Sequence, residues 1–386
     1  MSREMGKCPV AHGERRDKEE EENHHEKAME NGKVYYGNYL GLDKILSAQH
    51  PLTSAPDELL FIITHQTYEL WFKQILHEIG IVTSIFSKAR VPPSEMLQAT
   101  RRLHRVVEIQ RILIQQFRIL ETMTPMDFMD FRNALVPASG FQSVQFRELE
   151  IRMGLPQERR SRLNGCVFLE ALSTDHKDYL EDVDAKASLF DVIERWLERT
   201  PFVEHEQWSF WKEYEGAVNK MIAREREHVR NEWNKGTKIN QEELTSYVDK
   251  MQASFDALFD KEKYEAQRAK GLMRFTHKAM QAALLIKLYR NEPIFHLPFE
   301  LLNTLVEIDE NISLWRHSHA TMVHRMIGSK VGTGGSSGVS YLRSTTGNRY
   351  KVFNDLANIA TYIIPSDELP KIPDSARNIF TFTHDP

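Results

Sequence analysis

Apolar positions in residues 298–338 recur at helical spacing. Leu301, Leu305, Ile308, Ile312, Trp315, His319, Met322 and Met326 stand 4, 3, 4, 3, 4, 3 and 4 apart, the stripe of a helix packed on a core. His319 belongs to that stripe. At about 100° per residue, His317 points roughly 160° and His324 roughly 140° away from it, so the core side meets one of the three histidines. The glycine-serine run Gly332-Thr333-Gly334-Gly335-Ser336-Ser337-Gly338 follows at once.

The same periodicity predicts helices along most of the chain. Asp57 is a cap candidate for a helix over 57–89 whose face carries Phe61, His65, Tyr68, Phe72, Ile75 and Ile79. Pro92-Pro93 restarts the chain into a third helix through Leu103, Val106, Ile109, Leu113, Phe117 and Leu120, with Arg101, Arg111 and Arg118 turned outward. Thr124-Pro125-Met126-Asp127 is a strong start signal for a short helix carrying Arg132, which ends at Pro137-Ala138-Ser139-Gly140. Residues 156–186 read as a polar, exposed insertion with short helices at most, and 205–270 as a charged helical hairpin. A compact helix over 275–289 stops at Pro293, and a last apolar helix is expected over 350–364. Near the N-terminus, Tyr35, Tyr36 and Tyr39 open a short helical arm. The elements predict an all-α chain: a charged, disordered tail over 1–33, then one helical domain over 34–386.

Composition narrows the function classes. With 386 residues, 41% hydrophobic, the chain can bury a sizeable core, and a formal charge of −5 gives no basic excess for nucleic acid or an anionic membrane. No apolar run approaches a membrane span. Cys8 and Cys166 are the two cysteines, so there is no disulfide framework, no paired-cysteine zinc motif and no covalent haem attachment, which points to a reducing cytoplasm. The tail has neither a secretory h-region nor an acid-poor transit composition.

Several residues admit a chemical reading beside a structural one. A histidine on an apolar face is ordinarily a hydrogen-bonded core residue; the alternative for His319 is an axial haem ligand, which needs one imidazole and an apolar wall such as Trp315 and Met322 provide. His65, four residues after Phe61, is either a core histidine or a polar partner for an aromatic ring stacked on Phe61. Arg132 beside Phe128 and Phe131 is a surface charge or a bidentate clamp for a carboxylate, with Ser139 and Gly140 at a turn where backbone can approach a ligand. Arg147, one helix later, is a candidate for a haem propionate. Glu225 and His228 form a lone Glu-x-x-His in a charged run, whereas a di-iron site needs two such pairs. The glycine loop lacks the Gly-Lys-Ser/Thr ending of a phosphate cradle; it is a lid with Thr333 as a polar finger, or a linker.

Taken as blocks, Phe61-Ile62-Ile63-Thr64-His65-Gln66, Glu69-Leu70-Trp71-Phe72-Lys73-Gln74, Asp127-Phe128 with Asp130-Phe131-Arg132, Pro137-Ala138-Ser139-Gly140-Phe141-Gln142-Ser143, Trp315-Arg316 with His319, and the glycine loop resemble the signature blocks of the tryptophan 2,3-dioxygenases. The resemblance covers roughly 34–155 and 191–364. It implies an all-helical, homotetrameric enzyme that uses ferrous haem b and O2 to convert L-tryptophan to N-formyl-L-kynurenine. On that resemblance His319 is the proximal iron ligand, His65 meets the indole N–H, Phe61 packs on the ring and Arg132 grips the carboxylate. Thr333 meets the ammonium, and Tyr36 and Tyr39 come from the adjacent subunit's arm. The insertion and the charged hairpin match no family block. The reading from another class is a helical interaction protein without haem, in which His65, Arg132 and His319 are ordinary core or surface residues.

Overall fold

The computed structural model describes residues 29–30, 33–160, 172–200, 208–234, 241–334 and 338–373. Cys8, Cys166, most of the charged tail and Gly335 to Ser337 of the glycine loop lie outside them. The chain clusters into two compact units, Met1–Ile63 and Thr64–Pro386. Residues 34–63, expected to belong with the catalytic domain, therefore group with the first unit.

In the first unit, the two-residue strands β1 (Met29–Glu30) and β2 (Lys33–Val34) pair antiparallel ahead of helices α1 (Tyr36–Leu40) and α2 (Leu42–Leu46). Neither helix buries a residue. The turn at 52–58 is fixed by the carboxylate of Glu58, which accepts from the backbone N–H groups of Leu52 at 2.7 Å and Thr53 at 2.8 Å and from the Thr53 hydroxyl at 2.6 Å. Glu58 begins α3 (Glu58–Phe86), and the boundary between the units falls within that helix.

The second unit continues through α4 (Pro93–Leu120), α5 (Pro125–Arg132), α6 (Val144–Met153), α7 (Gln157–Arg160), α8 (Thr174–Asp184), α9 (Leu189–Leu197), α10 (Phe210–Asn234), α11 (Gln241–Phe259), α12 (Lys261–Ala269), α13 (His277–Leu288), α14 (Pro293–Ile327), α15 (Val339–Ser344) and α16 (Asn354–Asn358). The most extensive packing is between α14 and α4. It follows from the predicted stripes: Leu301, Leu305 and Ile308 of one helix and Leu103, Val106 and Leu113 of the other are all buried. Pro293, read as a stop, occupies the first turn of α14, where its missing N–H costs nothing.

Three expectations differ from the structure. The segment 156–186 holds an eleven-residue amphipathic helix, α8, whose Leu180 and Val183 pack with Ile151 and Leu172 in a small core of their own. Spacing of only two or three apolar residues in a polar run hid it. The hairpin at 205–270 is charged only along part of its length: Tyr214, Val218 and Ile222 of α10 and Phe255 and Leu258 of α11 are buried. The helix expected over 350–364 is broken into a 3-10 turn at Asn348–Tyr350, α16, and a 3-10 turn at Ile359–Tyr362.

Asp309 of α14 explains that break. Its carboxylate accepts from the backbone N–H of Val352 at 3.0 Å and of Phe353 at 2.5 Å, and so holds the extended chain between the first 3-10 turn and α16. Burial pushes this carboxyl up to about 6, opposed by those two N–H groups and by Lys351 and Arg274. Asp309→Asn keeps the shape but offers one acceptor oxygen instead of two. It should leave a buried N–H unsatisfied and cost about 1–3 kcal/mol at neutral pH. Thermal unfolding measures this, and an unchanged midpoint would remove Asp309 as the latch. Among the described residues no helix is long and apolar enough to cross a membrane.

Candidate active site

The site grows from the stripe on α14. Trp315 gathers four rings: Tyr68 at 6.1 Å and Phe72 at 6.4 Å from α3, Phe117 at 5.8 Å from α4, and Phe146 at 5.1 Å from α6. One turn on, the His319 imidazole lies 5.3 Å from the Trp315 ring and stacks on Phe117 at 5.9 Å with 15° between planes. Its accessible surface is only partly covered, yet the apolar density around the ring pushes its pKa down to about 4, with the charge of nearby His65 as a second cause. At neutral pH it is an uncharged imidazole. His317 and His324 are exposed, as the periodicity requires.

A second group forms around the start of α6. Thr124 and Asp127 make a reciprocal capping box that starts α5, and buried Phe131 anchors its end, so Arg132 is presented from a short, fixed helix. Ser139 caps the 3-10 turn Gly140–Gln142, and Ser143 caps α6 by accepting from Phe146 N–H at 3.2 Å. Onto this wall comes the first part of the glycine loop. Arg132 Nη2 donates to the carbonyl of Val331, and the Thr333 hydroxyl donates to that of Ala138 at 2.8 Å. The loop is entered at Gly328, φ 60 and ψ −126, and left at Gly338, φ 55 and ψ −112, backbone conformations essentially reserved for glycine.

Gly334 is needed for a different reason. A Cβ there would lie 2.6 Å from Ser139 Cβ and 2.7 Å from its Oγ, atoms too close to the backbone to move aside cheaply. Gly334→Ala should lift the loop from its wall and lower kcat/KM about tenfold while thermal stability holds. Gly347→Ala, where a Cβ meets nothing within 4 Å, is the control; equal activity of the two variants would count against a seated loop.

The two groups are joined through α6. The Arg147 guanidinium lies over Phe141 at 5.9 Å and Phe146 at 5.4 Å, and Phe141 meets Tyr341 of α15 at 5.1 Å. Arg147 and Arg316 both bond the Glu150 carboxylate at 2.7 Å, and all three side chains are under a tenth exposed. The Nε of Arg132 is buried with no hydrogen-bond partner among the described residues, an N–H group that calls for an acceptor.

Of the residues singled out by sequence, the second unit thus brings His319, Trp315 and Arg147 into one connected set and Arg132, Ser139 and Thr333 into an adjoining one. Gly140 is exposed at the start of its turn. His65 is exposed on α3, at the open end of the face that buries Tyr68, Phe72, Ile75 and Ile79, and near enough for its charge to be felt at His319. Phe61, Tyr36 and Tyr39 belong to the first unit; the tyrosines are 72% and 70% exposed on the single chain, so no described residue of their own unit buries them. Sequence reasoning missed the Glu150–Arg316 pair, 166 positions apart, and gave Tyr68 and Phe117 only as positions on apolar helix faces.

The donor set suits a haem. Among the described residues no three His, Cys, Asp or Glu side chains gather to hold a bare metal ion, whereas a porphyrin iron needs one neutral imidazole against an apolar wall. Two buried guanidiniums on one carboxylate leave a net positive charge beside that wall, suited to a carboxylate of the cofactor.

Comparison with known proteins agrees with the geometry. A sequence profile described as tryptophan 2,3-dioxygenase matches residues 19–363. The tryptophan 2,3-dioxygenase of Bdellovibrio bacteriovorus is 45% identical over 357 residues, 90% of this chain and 98% of its own. That of Dictyostelium discoideum is 43% identical over 354 residues, 90% of this chain and 88% of its own. Tryptophan 2,3-dioxygenase A of Danio rerio is 44% identical over 350 residues, covering 89% and 86%. With the His319 imidazole on its aromatic wall, its arginine-and-loop wall and this match along nearly its whole length, the chain belongs to the tryptophan 2,3-dioxygenase family.

Proposed function

We propose that the protein is a haem enzyme that adds both atoms of O2 across the indole C2–C3 bond of L-tryptophan, giving N-formyl-L-kynurenine. The observation that carries the reading is the pairing of one neutral imidazole on an aromatic wall, His319, with an adjoining wall of Arg132 and the glycine loop. When bound, ferrous haem supplies the binding and activation of O2. The chain's own work is positioning. His319, beside Trp315 and Phe117, would hold the iron, and Arg147 would grip a propionate. Arg132 clamps the substrate carboxylate through its guanidinium fork, and Ser139 and Gly140 line the turn beside it.

His65 is the catalytic histidine and orients the substrate by accepting the indole N–H; that proton is too weakly acidic for an imidazole to remove easily, so proton abstraction is the lesser alternative. Phe61 covers the indole ring. Thr333 meets the ammonium, and the loop over the site keeps water from the reacting atoms. Tyr36 and Tyr39 reach the site of a neighbouring subunit in a homotetramer, which accounts for two tyrosines left exposed on their own arm. This reading takes the cytoplasm as the setting, in keeping with a chain of two cysteines and no disulfide framework.

The test uses the full chain supplied with haem, reduced without oxygen, then mixed with L-tryptophan and air. A Soret band with growth of N-formylkynurenine absorbance is the expected result. Haem without product would overturn the substrate, and no Soret band after haem supply would overturn the cofactor.

A further inference from the structure

The buried charges next to the His319 helix carry an assignment of their own, which rests on the haem reading above. Glu150 stands between Arg147 and Arg316, bonded to each at 2.7 Å, and Arg316 also donates to the carbonyl of Thr345 at 3.3 Å. Arginine stays protonated in proteins, so the three side chains hold a net charge of +1. The nearest other ion pair on α6, Glu148 with Arg152 at 2.6 Å, is neutral in sum.

This charge lies close to the candidate iron ligand by two routes. Arg316 precedes His319 by three residues on α14, within one helical turn. Arg147 covers Phe146, whose ring is 5.1 Å from Trp315, itself 5.3 Å from His319. Packing alone does not call for such a set, because a buried ion pair is often no more stabilising than apolar side chains of the same volume. A second guanidinium on the same carboxylate adds an excess charge to the core.

We infer that Glu150 is a positioning residue for the haem: by holding Arg147 and Arg316 on one carboxylate it fixes the charge at the edge of the haem site, and with it the iron reduction potential. The sign follows from charge counting. Ferric haem carries one more positive charge than ferrous haem, so positive neighbours favour the ferrous form and raise the potential. Glu150 offsets one of two such neighbours. Glu150→Gln therefore raises the potential, and Arg147→Gln lowers it.

The experiment is a spectroelectrochemical titration of the full-length, haem-supplied protein without tryptophan, with haem stoichiometry and helix content measured alongside. Glu78→Gln is the control: buried Glu78 also bonds two arginines, Arg102 at 2.8 Å and the more exposed Arg105 at 2.7 Å, further along α3 and α4. Its partner Arg105 is 12 residues from Phe117 on α4, roughly 18 Å along the axis. The expected result is a positive shift for Glu150→Gln, a negative one for Arg147→Gln and none for Glu78→Gln. Potentials at the wild-type value in both site variants would overturn the assignment, as would a shift in Glu78→Gln as large as in Glu150→Gln. If Glu150→Gln does not fold, the sign of the Arg147→Gln shift decides. A wild type that takes up no haem fails the reading beneath, whereas bound haem with unmoved potentials fails only the role of Glu150.

Discussion

His319→Ala loses stable haem binding and its Soret band while far-ultraviolet circular dichroism stays near that of the wild type. The imidazole is the one histidine of α14 within the aromatic set; His317 and His324 face solvent. Its pKa near 4 means that it offers a lone pair at neutral pH without first losing a proton. Loss of a mere supporting partner behind a metal ligand costs about 10- to 100-fold in affinity, so loss of the ligand itself should exceed about 100-fold. The helix should survive, because Leu301, Leu305 and Ile308 upstream and Met322 and Met326 downstream stay buried. Added imidazole should restore part of the band by filling the space left beside Phe117 and Trp315. His317→Ala and His324→Ala should bind haem normally. A His319→Ala protein with full haem stoichiometry and an unchanged spectrum would remove this residue as the ligand.

How much of this was legible in the sequence depends on whether the cause was local. The α14 stripe was readable because each turn repeats the same demand, and it selected His319 over its neighbours without knowledge of any partner. The start of α5 was readable too, since Thr124, Pro125 and Asp127 act within four residues. The break after Tyr350 was not, because the acceptor that claims Val352 and Phe353 is Asp309, more than forty residues earlier. Glu150 with Arg316 is the same case: each looked like one more charge in a helix, and only tertiary placement turns them into a buried set. His65 shows the converse. Its spacing puts it on the apolar face of α3, but periodicity cannot tell where such a face is covered, and in the single chain the buried part begins only at Tyr68.

Arg132→Ala should lower kcat/KM for L-tryptophan about ten- to hundredfold, the roughly 1.5 to 3 kcal/mol of a charge-assisted hydrogen bond lost in the transition state. Two roles meet in this side chain, and they can be separated. One edge of the guanidinium donates to the Val331 carbonyl and so holds the loop, while its buried Nε has no acceptor among the described residues. If the second edge clamps the substrate carboxylate, the wild type strongly prefers tryptophan to its decarboxylated analogue, and Arg132→Ala erases that preference by losing activity on tryptophan alone. If the residue only anchors the loop, both substrates fall together and the preference persists. Arg132→Lys sharpens the distinction: an ammonium can still bond the Val331 carbonyl but cannot present two parallel N–H groups, so it should recover loop order and little of the discrimination. A wild type that turns over both substrates equally well would rule out the clamp before any variant is made, and would leave the acceptor for Arg132 Nε to be sought in the cofactor.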